Sequence, residues 1–95
     1  MALIKWSGPA RQDLARIDDY YRSIDPEFAD RSSDAAVEAA RFLLANPRAG
    51  APLNQLPFRK WPVRTTPFIL IYLVDPVGIH IVRVRHNRED WQPTP

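Results

Sequence analysis

The sequence predicts an α+β fold of order β-α-α-β-β-β, in which a helical hairpin packs on one face of a small antiparallel sheet. Three observations carry that expectation. Ala10, Leu14, Ile17, Tyr21 and Ile24 recur at steps of four, three, four and three, which is one face of a helix. Asp25-Pro26 interrupts the pattern and at once starts a second helical stretch, so the two helices must fold back on each other. A seven-residue uncharged run, 68–74, is then followed by a turn and a strict alternation.

The elements follow in order. Residues 2–6 read as a short strand with Ile4 and Trp6 on one face and Leu3 and Lys5 on the other. Ser7 offers a helix N-cap, and Gly8 and Pro9 fall in the first turn, where a missing N–H is harmless. The first helix covers 9–23, with Arg11, Asp18 and Arg22 away from the apolar stripe. The second covers 26–45, with Phe28, Ala35, Ala39, Phe42 and Leu43 inward and Asn46-Pro47 as its stop. Its alanines at 35, 36, 39 and 40 permit close helix approach.

Residues 47–57 hold three prolines, one glycine and no periodicity, and read as an ordered loop. Residues 58–65 alternate as a strand, and Pro62 marks that strand as an edge or a bulge. The run 68–74 is the central strand. Asp75-Pro76-Val77-Gly78 is a turn, and 79–85 closes an antiparallel meander.

Composition bounds the function. A chain of 95 residues, 45% hydrophobic and 25% charged, suits one domain spanning 1–95. The absence of cysteine excludes a disulfide framework, a cysteine zinc site and a thiol nucleophile. No window approaches the ~20 apolar residues that cross a bilayer, and no signal-like start is present, so a soluble, unprocessed, cytoplasmic protein without a membrane partner is expected. The net charge of +2 hides an asymmetry: residues 1–47 carry 6 Lys+Arg against 8 Asp+Glu, and residues 48–95 carry 7 against 3. The second half is the one suited to an acidic partner.

Strict alternation puts Trp61, Val63, Leu70, Tyr72, Val82 and Val84 under the helices. The opposite face then gathers Lys60, Arg64, Ile69, Ile71, Leu73, Ile81, Arg83 and Arg85, a hydrophobic strip flanked by cations with nothing left in the chain to cover it. Exposed apolar surface of that kind marks a partner site.

The pieces "PARQDLARIDDYY", "NPRAG", "VRTTPFILIYLV" and "IVRVRHNREDW", following an N-terminal strand that ends in Trp6, resemble in order and spacing a toxin of the RelE/ParE superfamily of bacterial toxin-antitoxin systems. The resemblance spans essentially the whole chain. It implies a RelE/ParE-like fold and a small toxin neutralised by a cognate antitoxin; the uncovered strip of Ile69, Ile71, Leu73 and Ile81, together with the helical hairpin, is then the expected antitoxin-binding surface.

The superfamily divides by activity. Its ribonuclease branch, as the resemblance has it, cleaves messenger RNA on the ribosome with strand lysines, an arginine on the next strand, and an arginine and a tyrosine near the C-terminus. Laid on that pattern without gaps, this chain keeps Lys60 but has Pro62 at the second lysine and Ile69 at the strand arginine; Asn87 or Arg88 stands near the late arginine and Trp91 near the tyrosine. Phosphodiester cleavage needs charge-stabilising donors and an acid or base, which proline and isoleucine cannot supply. The closing "RVRHNREDW" resembles the ParE branch, which implies poisoning of DNA gyrase with no chemistry by the toxin.

The expected target-binding residues are therefore Lys60, Arg64, Arg83, Arg85, Arg88 and Trp91. The arginines at 83, 85 and 88 suit acidic or phosphate groups, whereas Lys60 and Arg64 can equally be a solvated strand face. No catalytic residue is expected; the alternative, a rearranged ribosome-dependent ribonuclease, would have to use Lys60, Arg64 and His86. His86 is otherwise a capping or exposed histidine that Asp90 could orient, His80 is structural, and two histidines without a carboxylate cluster predict neither metal nor cofactor.

Overall fold

The computed structural model describes residues 2–87. The chain runs β1 (Leu3–Trp6), α1 (Gly8–Arg22), α2 (Pro26–Ala45), β2 (Ala51–Pro52), β3 (Arg59–Pro62), β4 (Phe68–Asp75) and β5 (Gly78–His86). The α+β class and the helical hairpin over one sheet face are as the sequence predicts. The sheet itself is mixed and five-stranded, in the order β1-β5-β4-β3-β2. β1 pairs with β5 in parallel, from Leu3 opposite Gly78 to Trp6 opposite Ile81, because the hairpin carries the chain across before the antiparallel strands form. The loop expected over 47–57 contributes the extra two-residue strand.

Local chemistry sets the helix ends. Ser7 Oγ accepts the Ala10 N–H at 3.0 Å and donates to the Val82 carbonyl at 2.8 Å, so one side chain caps α1 and ties it to β5. Asp25 caps α2 through the Phe28 N–H, and Pro26 follows in the first turn. Asn46 ends α2 by donating its side-chain amide to the Phe42 carbonyl. Between the helices, Tyr21 meets Phe28 edge-on at 4.6 Å and Phe68 of β4 at 6.0 Å.

The main core lies under the hairpin and includes Ala10, Ala40, Leu43, Val63, Leu70, Tyr72, Ile79, Ile81 and Val84. A register shift at Ile71/Tyr72 places Tyr72 opposite Ile81 but Ile71 opposite Arg83, leaving Val82 as an extra residue in β5. This bulge corrects the expected faces. Ile81 is fully buried in the main core, whereas Val82 packs on the other side with Ile69 and Ile71. Ile24 also departs from expectation: α1 stops at Arg22, and Ile24 is exposed in the connection.

Two glycines are sterically required. A Cβ at Gly50 would lie 2.5 Å from the Tyr72 hydroxyl and 2.6 Å from the Lys60 carbonyl oxygen. Gly78 has φ of +150° and abuts the Leu3 backbone, where β1 joins β5.

Candidate functional site

On the outer face of the sheet, cross-strand register sets two rows: Pro62, Ile69 and Arg85 in one, and Lys60, Ile71 and Arg83 in the next. The strip expected to lie open on this face is covered. Leu53 folds back from the segment after β2, held by its N–H to the Phe58 carbonyl, and with Phe58 and Val82 it closes over Ile69 and Ile71. Ile69 and Ile71 are consequently buried, Leu73 is half-buried opposite His80, and Ile81 lies on the other side of the sheet. The antitoxin surface expected over Ile69, Ile71, Leu73 and Ile81 is thus not a continuous exposed strip. What faces outward around the small cluster is Lys60, His80, Arg83 and Arg85, all half-buried.

Arg83 has a second role. Its Nε and Nη2 donate to the two Asp13 oxygens at 2.7 and 3.0 Å, Arg16 donates to Asp13 at 2.7 Å, and the Val84 N–H does so at 2.9 Å. β1 stops at Trp6, so among the described residues the β5 edge beyond Ile81 has no strand partner, and the α1 carboxylate takes that place. Asp13 is 1% exposed. Burial pushes its carboxyl up, but the Arg83 bonds, the Val84 N–H and Arg16 together outweigh that and hold it below the usual aspartate range. Asp13 is not among the residues that periodicity or motif singles out, and its one signal in the sequence is a carboxylate at 13 within the stripe 10, 14, 17, 21.

The alternative catalytic set does not assemble. Lys60 pairs with Ile71 on the outer face, whereas His86 pairs with Phe68 and meets its ring edge-on at 5.8 Å on the helix face. Arg64, expected on the outer face, lies exposed in the turn after β3, beside α2. Arg88 and Trp91 lie outside the described residues. No group of three or more His, Asp or Glu side chains able to hold a metal ion occurs among the described residues.

A different feature stands out at the junction of α2 and β3. Phe42, expected in the core, is 45% exposed and stacks on Trp61 at 5.1 Å with the rings 19° apart. The two rings line a groove of about 510 Å³ with Ala35, Ala39, Glu38 and Arg64. Thr65, at the same groove, holds a left-handed φ of 63°.

Nearby, Tyr72 donates its hydroxyl to the Pro47 carbonyl and accepts the Gly50 N–H, and Arg59 donates to the Gly50 carbonyl. These bonds lock the "NPRAG" segment after α2. Burial raises the Tyr72 pKa.

A helical hairpin over one face of a small mixed sheet, with a basic outer face and an aromatic groove, is the architecture expected of a small RelE/ParE-like α+β toxin. The chain belongs to the ParE toxin family: the family model for the ParE toxin of the type II toxin-antitoxin system parDE matches residues 4–91. Among solved structures it is similar to a chain of the chromosomal ParDE toxin-antitoxin system from P. aeruginosa, at 30% identity and a TM-score of 0.79, covering 90% of this chain and 96% of that one. It also shares the fold of a chain in the E. coli DinJ–YafQ complex, at 17% identity and a TM-score of 0.59, covering 96% of this chain and 99% of that one. A search of curated proteins gives no significant match.

Proposed function

We infer that this ParE-type toxin arrests growth by binding DNA gyrase, without bond chemistry of its own, and that a cognate antitoxin neutralises it. The observation that carries the reading is the pairing of Pro62 with Ile69 across β3 and β4. These are the two positions at which the ribonuclease branch, by resemblance, has a lysine and an arginine. Here they face each other without a single side-chain donor, and the remaining Lys60 is separated by the sheet from His86. Lys60, Arg83 and Arg85 make this face basic, but of the ribonuclease pattern only Lys60 remains on it, so the chemistry of that pattern lacks two of its donors. Binding, by contrast, needs only complementary surface. The antitoxin partner is supported by the name of the similar P. aeruginosa structure, a ParDE toxin-antitoxin system. This reading puts the toxin in the cytoplasm with its target; among the described residues no helix is long and apolar enough to cross a membrane.

The test uses purified toxin in two assays. With gyrase, supercoiling should fall or cleaved DNA should accumulate. With translating ribosomes, no specific cleavage of messenger RNA should appear. Codon-periodic cleavage with gyrase unaffected would overturn the inference in favour of the ribonuclease.

A further inference from the structure

We propose that the outer face of the sheet takes the sugar-phosphate backbone of duplex DNA, and that in the poisoned complex this is the segment held by gyrase. The proposal rests on the gyrase reading above and names the part of the target that the basic face meets.

The face carries charge of one sign. Residues 48–87 contain the cations Arg48, Arg59, Lys60, Arg64, Arg83 and Arg85 and a single acid, Asp75, which lies at the end of β4 and pairs with Lys5 at 3.8 Å. Lys60 on β3 and Arg83 and Arg85 on β5 come to the outer face, where the His80 imidazole adds a further polar group. Interfaces with DNA are far more positive than those between proteins, whose buried centres exclude charge.

Lys60 and Arg83 flank Ile71 in one row, and Arg85 flanks Ile69 in the next. Two strand spacings set Lys60 and Arg83 about 10 Å apart at the backbone, and two residues along β5 set Arg83 and Arg85 about 7 Å apart. A duplex carries a charge every ~1.7 Å of its axis, so a patch of these dimensions always has phosphates within reach. The Asp13 bonds hold the Arg83 guanidinium in place before a ligand arrives, which lowers the ordering cost of that contact.

The rest of the face suits a duplex. Single strands are held by aromatic platforms, but Trp61 and Tyr72 belong to the helix side of the sheet, and Phe58 is packed against the cluster of Leu53, Ile69 and Ile71. An acidic peptide strand has no ladder to join, because Pro62 lacks an N–H and β2 occupies Arg59 and Lys60. Backbone contacts need cations but neither acid nor base, so the donors missing at Pro62 and Ile69 cost this binding nothing. DNA also lacks the 2′-hydroxyl on which cleavage would have to act.

Fluorescence anisotropy with a short labelled duplex over a salt series measures binding by the full-length toxin alone. Three phosphate contacts predict a slope of log K against log salt of about −2.7 and a Kd between about 10⁻⁴ and 10⁻⁶ M. Lys60→Gln and Arg85→Gln should each weaken binding about 5- to 10-fold at ~0.1 M salt and flatten the slope by about 1, with thermal unfolding still cooperative. Arg41→Gln, which removes an equal charge from the exposed surface of α2, should leave the slope unchanged. With gyrase added, the two outer-face variants should lower the accumulation of cleaved DNA by a similar factor. No duplex binding by the wild type, or binding that folded Lys60→Gln and Arg85→Gln leave unchanged, overturns the face assignment while any effect on gyrase stands. Tighter binding of a single-stranded RNA of the same length, or displacement by polyglutamate as effective as by unlabelled duplex, gives the face to RNA or to an acidic protein and also overturns it. Duplex binding that both variants weaken, with gyrase unaffected by the wild type, keeps the DNA face and overturns the gyrase reading.

Discussion

Replacing Asp13 with alanine removes the acceptor of four hydrogen bonds, from Arg83 Nε and Nη2, Arg16 and the Val84 N–H. Breaking a buried charged pair by deleting one partner costs about 3–5 kcal/mol. The Arg83 and Arg16 side chains are 35% and 68% exposed, so water re-solvates much of both once the carboxylate is gone, which discounts the cost toward about 3 kcal/mol. For a domain of this size that corresponds to a fall in Tm of roughly 12–24 °C. Urea and thermal denaturation of wild type and Asp13→Ala, followed by circular dichroism, measure it. The pH dependence supplies a second signature. Because the folded-state pKa of Asp13 is depressed, its contribution is complete above the unfolded value of about 3.9 and is lost as pH falls through the folded value. In Asp13→Asn that part of the acid limb should flatten, and the amide can still accept from Val84 while it turns N–H groups toward Arg83. A loss below about 1 kcal/mol in Asp13→Ala, with the acid limb unchanged in Asp13→Asn, would refute the assignment of this carboxylate as the clamp between α1 and β5.

Two further substitutions test the buried polar groups. Tyr72→Phe takes away the acceptor of the Gly50 N–H and should cost about 1–3 kcal/mol in urea denaturation, with the m value unchanged. Ser32→Ala should be neutral or stabilise by up to about 1 kcal/mol in thermal melts, because the Ser32 hydroxyl is buried and has no hydrogen-bond partner among the described residues.

The elements of the fold were legible because their signals are local. Ser7, Asp25 and Pro26 cap helices by chemistry that acts within a few residues, and the second helix runs over 26–45 as its punctuation predicts. What was not legible depends on contacts distant in sequence. Period-two counting from Val84 sends Val82 inward and Ile81 outward, and only the bulge opposite Ile71 and Tyr72 reverses them. The cover over Ile69 and Ile71 comes from Leu53, in a stretch with no periodicity to reveal it. Phe42 sits on the expected inner stripe of α2, but β3 ends at Pro62, and among the described residues no strand extends beyond Trp61 to enclose it. The candidate site shifted for the same reason: the expected surface was inferred from parity, and parity fails at a bulge.

The geometry also constrains how a partner can engage the sheet. On β3, Lys60 and Pro62 point to the outer face and Trp61 to the groove, so one four-residue strand borders both surfaces. Arg83 is anchored to Asp13, which fixes its guanidinium at the β5 edge and leaves Lys60, His80 and Arg85 to shape the rest of the basic face. A strand approaching the open edge of β3 would meet Pro62, which has no N–H to donate, while β2 already occupies Arg59 and Lys60, so a partner of the outer face would be held by side-chain contacts rather than by strand addition.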